Sequence, residues 1–206
     1  MARRSDHSRV QLEELILAEA HGLMAETGYS RFSAREVAKR ISYSIGTIYN
    51  VFGSLDSLLL AINSRTFVLW ADWLRGKLAG AGEDRIAALV AGYFDFAARN
   101  TNLWMAIYDH RLLPGTEMPE PYRRLRAGLT GIVEAEVALV LPEARRGEAA
   151  ALARSLVALV HGHCFFALNG TFALLGEEQP EAAALARVWE ALTAAGAVRG
   201  SGSSGA

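Results

Sequence analysis

The stretch FSAREVAKRISYSIGTIYNVF, from Phe32 to Phe52, constrains the fold more tightly than any other part of the chain. Ser33 has Glu36 three residues on, the spacing of a capping box, and so starts a short helix. Val37, Ala38 and Ile41 on one side of Ser42-Tyr43-Ser44, and Ile48 and Phe52 on the other, recur at spacings that make two short helices face each other. Ala38 is small where such helices would cross closely, and Ser42-Tyr43-Ser44 has the length of a tight turn. Around this pair the reading is helical almost throughout, since no segment shows sustained period-2 alternation.

Ser8 caps a first helix whose stripe is Val10, Leu12, Leu15, Ile16, Leu23 and Met24, and Gly28 ends it. A fourth helix follows the cap at Ser54. Further helices are expected from Glu83 to Arg99, from Thr101 to about His110, from Pro119 to Val140 and from about Gly147 to Leu175. A last one starts at Pro180, a favoured first-turn residue, and Pro114-Gly115 and Pro142 punctuate the series. The expected fold is all-α with about nine helices. Residues 1–55 form a small three-helix domain, 56–198 a larger helical one, and 199–206 a linker-like tail.

A short helix, a three-residue turn and a second short helix make a helix-turn-helix, whose second helix enters the DNA major groove. Projected at 100° per residue, that helix turns Ile48, Val51 and Phe52 inward. Gly46 and Asn50 fall opposite, flanked by Thr47 and Tyr49. This outer face is uncharged yet suits base edges: Asn bonds adenine through two atoms, and Thr bonds a base or packs on a thymine methyl. Ile45 offers another apolar contact, Tyr49 reaches a phosphate oxygen, and Gly46 lets the backbone approach the duplex. The positive charge lies around the reader, on Arg31, Arg35, Lys39 and Arg40, with Arg3, Arg4 and Arg9 ahead of the first helix.

Whole-chain charge adds nothing to that case. Lys+Arg is 21 against 22 for Asp+Glu, so a nucleic-acid function rests on local charge. One cysteine, Cys164, excludes an internal disulfide framework and fits a reducing, cytoplasmic setting. The uncharged run SLVALVHGHCFFALNGTFALL is long enough to span a bilayer, but His161, His163 and Asn169 are costly in lipid. A helix buried in protein, not in a membrane, is expected there.

The segment FSAREVAKRISYSIGTIYNVFGSLDSLLLAI resembles the DNA-binding domain of TetR-type transcriptional regulators, over about Gln11 to Ile62. The resemblance implies DNA contacts from Ser33, Arg35, Ser44, Ile45, Thr47, Tyr49 and Asn50, with Gly46 and Phe52 as framework. Two positions depart from the pattern. Ser42 stands where the family has a glycine of positive φ, at a cost on the order of 1 kcal/mol. Leu55 replaces a lysine after the fourth helix's cap, which removes one phosphate anchor.

The resemblance further implies a homodimer on a palindromic, double-stranded operator, with the last two helices and their symmetry mates forming a four-helix bundle. Phe166, Leu185, Val188 and Trp189 are the candidate dimer residues. It also implies a small-molecule effector in the larger domain. His161, Cys164 and Phe165 share one helical face, and Trp104, Met105 and Tyr108 another; a pocket between them would be mostly apolar. His161-Gly162 matches a Trp-x-x-x-His-Gly signature of one regulator type, although Val157 stands in place of its tryptophan.

No catalytic constellation, phosphate loop, cofactor motif or metal cluster is visible. His161 and His163 are two apart and point about 200° from each other on a helix, so they cannot easily share an ion. The function expected is a dimeric repressor released from its operator by a small, largely apolar ligand.

Overall fold

Ten α-helices and two short 3-10 segments follow one another in the computed structural model, which describes residues 8–112, 115 and 117–199. Arg3, Arg4, Pro114 and the tail from residue 200 lie outside the described residues. The helices are α1 Arg9–Thr27, α2 Ala34–Arg40, α3 Ile45–Phe52, α4 Leu55–Ala79, α5 Arg85–Arg99, α6 Thr101–Asp109, α7 Glu120–Val140, α8 Ala149–Leu168, α9 Thr171–Leu175 and α10 Pro180–Ala194. They group into two compact units, residues 1–66 with 100–123, and residues 67–99 with 124–206. The break between units thus falls inside α4, beyond the end of the helix-turn-helix at residue 55, and α6 belongs with the first unit.

Side-chain caps set the first unit's boundaries. The complete capping box lies at α1: Ser8 Oγ accepts from the Gln11 N–H at 3.3 Å, and Gln11 Oε1 accepts from the Ser8 N–H at 2.8 Å. At α2 only half of the expected box forms. Ser33 Oγ accepts from the Glu36 N–H, while the Glu36 carboxylate turns to Lys39 at 3.5 Å and Arg40 at 3.6 Å. Ser44 caps α3 through the Thr47 N–H at 3.2 Å, and Ser54 caps α4 through the Ser57 N–H at 3.0 Å.

Ile16, Leu23 and Met24 of α1, Val37 of α2, Ile48 of α3, Leu58 and Ile62 of α4, and Leu103 and Ala106 of α6 form one buried cluster. Each fully buried Leu, Ile or Met contributes roughly 1.5–3 kcal/mol, so this small core fixes the two short helices that propensity alone could not hold.

The second unit packs α5, α8 and α10 together, burying Leu89, Tyr93 and Phe96 with Leu156, Val160, Cys164, Val188 and Leu192. Trp70 of α4 stacks on Phe96 at 5.0 Å and meets Tyr93 edge-on at 4.9 Å. Arg85 grips the buried Glu136 carboxylate through two bonds of 2.7 Å, tying the start of α5 to α7. The stretch Glu143–Leu168 is apolar and long enough to cross a membrane by composition, and its α8 part is one wall of this core.

The helix expected to run unbroken to Leu175 stops at Leu168. Gly170 adopts φ 79, and the Asn169 side chain accepts from the Thr171 N–H at 2.9 Å, so α9 is a separate turn of helix. That break accounts for ten helices where nine are expected.

Candidate nucleic-acid interface

α3 is held by its inner side and open on its outer one. Ile48 is fully buried, and Ile45, Val51 and Phe52 pack partly against the first unit's core. Gly46, Tyr49 and Asn50 are exposed, Tyr49 by 40%. Among the described residues, neither Tyr49 nor Asn50 spends its polar group on another side chain. Thr47 is half-buried, its hydroxyl 3.0 Å from Ser44 Oγ. A Cβ added at Gly46 would meet nothing closer than Ser44 Oγ at 3.5 Å, so the fold itself does not require glycine there.

The turn before α3 is where the chain is strained. Ser42 has φ 60, the one non-glycine in the left-handed region among the described residues. Ser42 and Tyr43 N–H groups return to the carbonyls of Lys39 and Ala38, at 3.1 and 2.9 Å. That Schellman-like closure demands the left-handed residue and aims α3 away from α2.

The surrounding cations divide into two kinds. Arg40 is bound on three sides by Glu26, at 2.8 Å, Glu19, at 3.3 Å, and Glu36. Hydrogen bonding to Glu26 raises the guanidinium's pKa further, and the same bond lowers that of Glu26. Arg40 therefore staples α2 to α1 and is not available to a phosphate as the sequence suggests. Arg31 donates to the Thr27 carbonyl at 3.2 Å. Arg35 is exposed and makes no ion pair among the described residues, while Lys39 is held only by a surface contact with Glu36.

α6 is the element that residue spacing does not assign to this unit. Asn102 donates to the Ala25 carbonyl of α1 at 2.7 Å. The His110 ring, packed against Tyr29, places Nε2 3.1 Å from Asp56 in the first turn of α4. Trp104 is fully buried and meets Tyr108 edge-on at 5.4 Å, and Met105 is half-buried.

In the second unit, Tyr93 Oη lies 3.0 Å from His161 Nδ1, and burial lowers the His161 pKa. His163 donates to the Leu159 carbonyl and packs on Phe172, so the two histidines serve different neighbours. Burial pushes the Cys164 thiol up to about 12, and Phe165 is half-buried beside His161. Val188 and Trp189, at 3% and 8% exposure, are spent on the unit's own core; Leu185 is half-buried and Phe166 is exposed. A small cavity of about 40 Å³ is lined by Leu89, Tyr93, Val137, Val157, Val160 and Val188. Among the described residues, no three His, Cys, Asp or Glu side chains come together as metal ligands.

Comparison with known families is decisive. Residues 16–62 match bacterial regulatory proteins of the tetR family, and residues 86–195 match the tetracyclin repressor-like C-terminal domain. The chain belongs to the TetR family. It is a DNA-binding transcriptional regulator, of a class that is not enzymatic. None of the curated proteins matches it significantly.

Solved structures give the same fold. A Rhodococcus sp. RHA1 protein of unknown function is 20% identical with a TM-score of 0.72, over 95% of this chain and 99% of that one. A TetR-like transcriptional regulator from the same organism is 16% identical at a TM-score of 0.60, over 91% and 98%. The multidrug binding protein EbrR, complexed with imidazole, is 18% identical at 0.60, over 90% and 96%. In the TetR-family frame, Arg40 and the α6 anchors are what residue reading missed. Of the three carboxylates around Arg40 only Glu36 is local, four residues before it; Glu19 and Glu26 lie on α1, 21 and 14 residues away. His110 and Asp56 are 54 residues apart and carry no local signal.

Proposed function

We propose that this TetR-family regulator is a homodimeric repressor, released from a palindromic operator by a small, largely apolar ligand. The observation that carries the reading is the attachment of α6 to the DNA-reading unit. Asn102 and His110 fasten the two ends of α6 to α1 and to the first turn of α4, so any displacement of α6 reaches the elements that hold α3. A ligand acts by favouring one of two placements, to the extent that it binds them differently.

Ser33, Arg35, Ser44, Ile45, Gly46, Thr47, Tyr49 and Asn50 form the proposed DNA surface. For the effector, the second unit offers His161, Cys164 and Phe165, an apolar face carrying one polar group. In the first unit, Trp104, Met105 and Tyr108 of α6 are proposed separately as residues that respond to it. For dimerisation, α8 presents Ala151, Ser155, Ala158, Gly162 and Phe166, all exposed and uncharged at three- and four-residue spacing. Small residues there allow close approach of a second α8, and Phe166 supplies apolar area.

Anisotropy of a labelled operator duplex, titrated with the protein and then with a panel of neutral aromatic compounds, tests the proposal. Two protomers per duplex and release by at least one compound are expected. Binding by a single protomer, or ligand binding that leaves operator affinity unchanged, contradicts it.

A further inference from the structure

We infer that the base pairs read directly by α3 are A·T pairs, with Asn50 as the adenine-selecting residue; the inference rests on the operator-binding reading above. From Ile45 to Phe52 there is no Arg, Lys, His, Gln, Asp or Glu. Guanine is read in the major groove chiefly by Arg or Lys, which donate twice to its O6 and N7 acceptors. α3 has no such group. The cations of α2 do not replace it: Arg40 is held by three carboxylates, and the first helix of the motif crosses the phosphate backbone, where Arg35 and Lys39 belong.

What α3 does offer matches adenine and thymine. Asn50 is exposed, makes no hydrogen bond to another described side chain, and carries one donor and one acceptor side by side. Adenine presents the complementary pair, the N7 acceptor and the N6 donor. Against guanine, the Asn50 carbonyl oxygen would face a second acceptor and repel it. The Thr47 hydroxyl is engaged by Ser44 at 3.0 Å, which leaves its methyl as the free part of the side chain. With the exposed part of Ile45, it makes an apolar surface suited to a thymine methyl. Gly46, which no internal contact requires, removes the side chain that would hold the helix off the base edges.

Selection of binding duplexes from a randomised library by the full-length protein, followed by sequencing, tests this. Adjacent A·T pairs are expected in each half-site, at the positions where the selected motif changes for Asn50→Ala. Replacing the Asn50-dependent pair by G·C should weaken the wild type about 10- to 100-fold and the Asn50→Ala variant less than about threefold. Asn50→Arg should move the preference at that pair to G·C, and uracil for thymine beside it should lose affinity. A wild-type motif with G·C at those positions, unaltered in preference by Asn50→Ala, overturns the inference while sequence-specific binding stands. A selection that yields no motif overturns both this inference and the operator reading beneath it. Circular dichroism confirms that each variant is folded.

Discussion

Ser42 holds φ 60 because the turn between α2 and α3 can close only with a left-handed residue, and serine pays a steric penalty there that glycine does not. Ser42→Gly should therefore stabilise the protein by about 0.5–1 kcal/mol, part of the relief being offset by the freer unfolded chain. Urea denaturation measures this, and an unchanged midpoint would show the turn to be unstrained. Gly46 gives the opposite pattern. Gly46→Ala should leave stability equal or raise it by up to about 1 kcal/mol, since alanine favours helix, while weakening operator binding. Arg35 and Arg40 separate in the same way. Arg35→Ala should reduce the salt slope of DNA binding by about one per protomer. Arg40→Ala should chiefly loosen α2 from α1, lowering stability with a smaller change in slope.

At the scale of elements, α1 and α4 meet through a histidine that must stay neutral. Thr66 Oγ1 donates to the Ile62 carbonyl at 3.1 Å, so it accepts from His21 Nε2–H at 3.2 Å. Burial, reinforced by Arg65, lowers the His21 pKa to about 4. The unfolded chain takes up this proton first. The stabilisation is thus complete above about pH 6.5 and is lost as pH falls toward 4, at about 1–2 kcal/mol once solvent screening is allowed for. Thermal unfolding between pH 7 and 4.5 should show that loss, and His21→Gln should flatten it. His161 contributes in the same direction from the second unit, so the difference between wild type and variant is the informative quantity.

Caps and periodicity made most elements legible: Ser8, Ser33 and Ser54 each cap where a local pattern places them. The inward set Ile48, Val51 and Phe52 and the outward pair Gly46 and Asn50 also follow from a 100° projection. The end of α8 did not, although Asn169-Gly170 is a turn dipeptide; the apolar residues on both sides mask it when hydropathy alone is read. Long-range polar ties, such as Arg40 with Glu19 and His110 with Asp56, depend on tertiary placement and leave no trace in spacing.

In the whole molecule, one helix is divided between two compact units, and a segment distant in sequence, 100–123, completes the unit that reads DNA. α6 enters that unit's core through Leu103 and Ala106, and the proposed response to ligand acts there. The second unit supplies the uncharged α8 face proposed for pairing. Phe166→Glu should shift a dimer toward monomer in light scattering and weaken operator binding, while leaving helicity intact, because the side chain is exposed. A palindromic site rewards two linked readers far more than one.

The central claim is that α3 reads bases with neutral groups while cations outside it supply attraction to phosphate. Affinities of wild type and Asn50→Ala for the selected operator and for random duplex, measured side by side at one salt concentration, test it most directly. Operator affinity should fall by about 1–3 kcal/mol per reading contact, with random-duplex affinity unchanged. An equal fall on both duplexes would place Asn50 on the backbone and contradict the assignment of α3 as the reader.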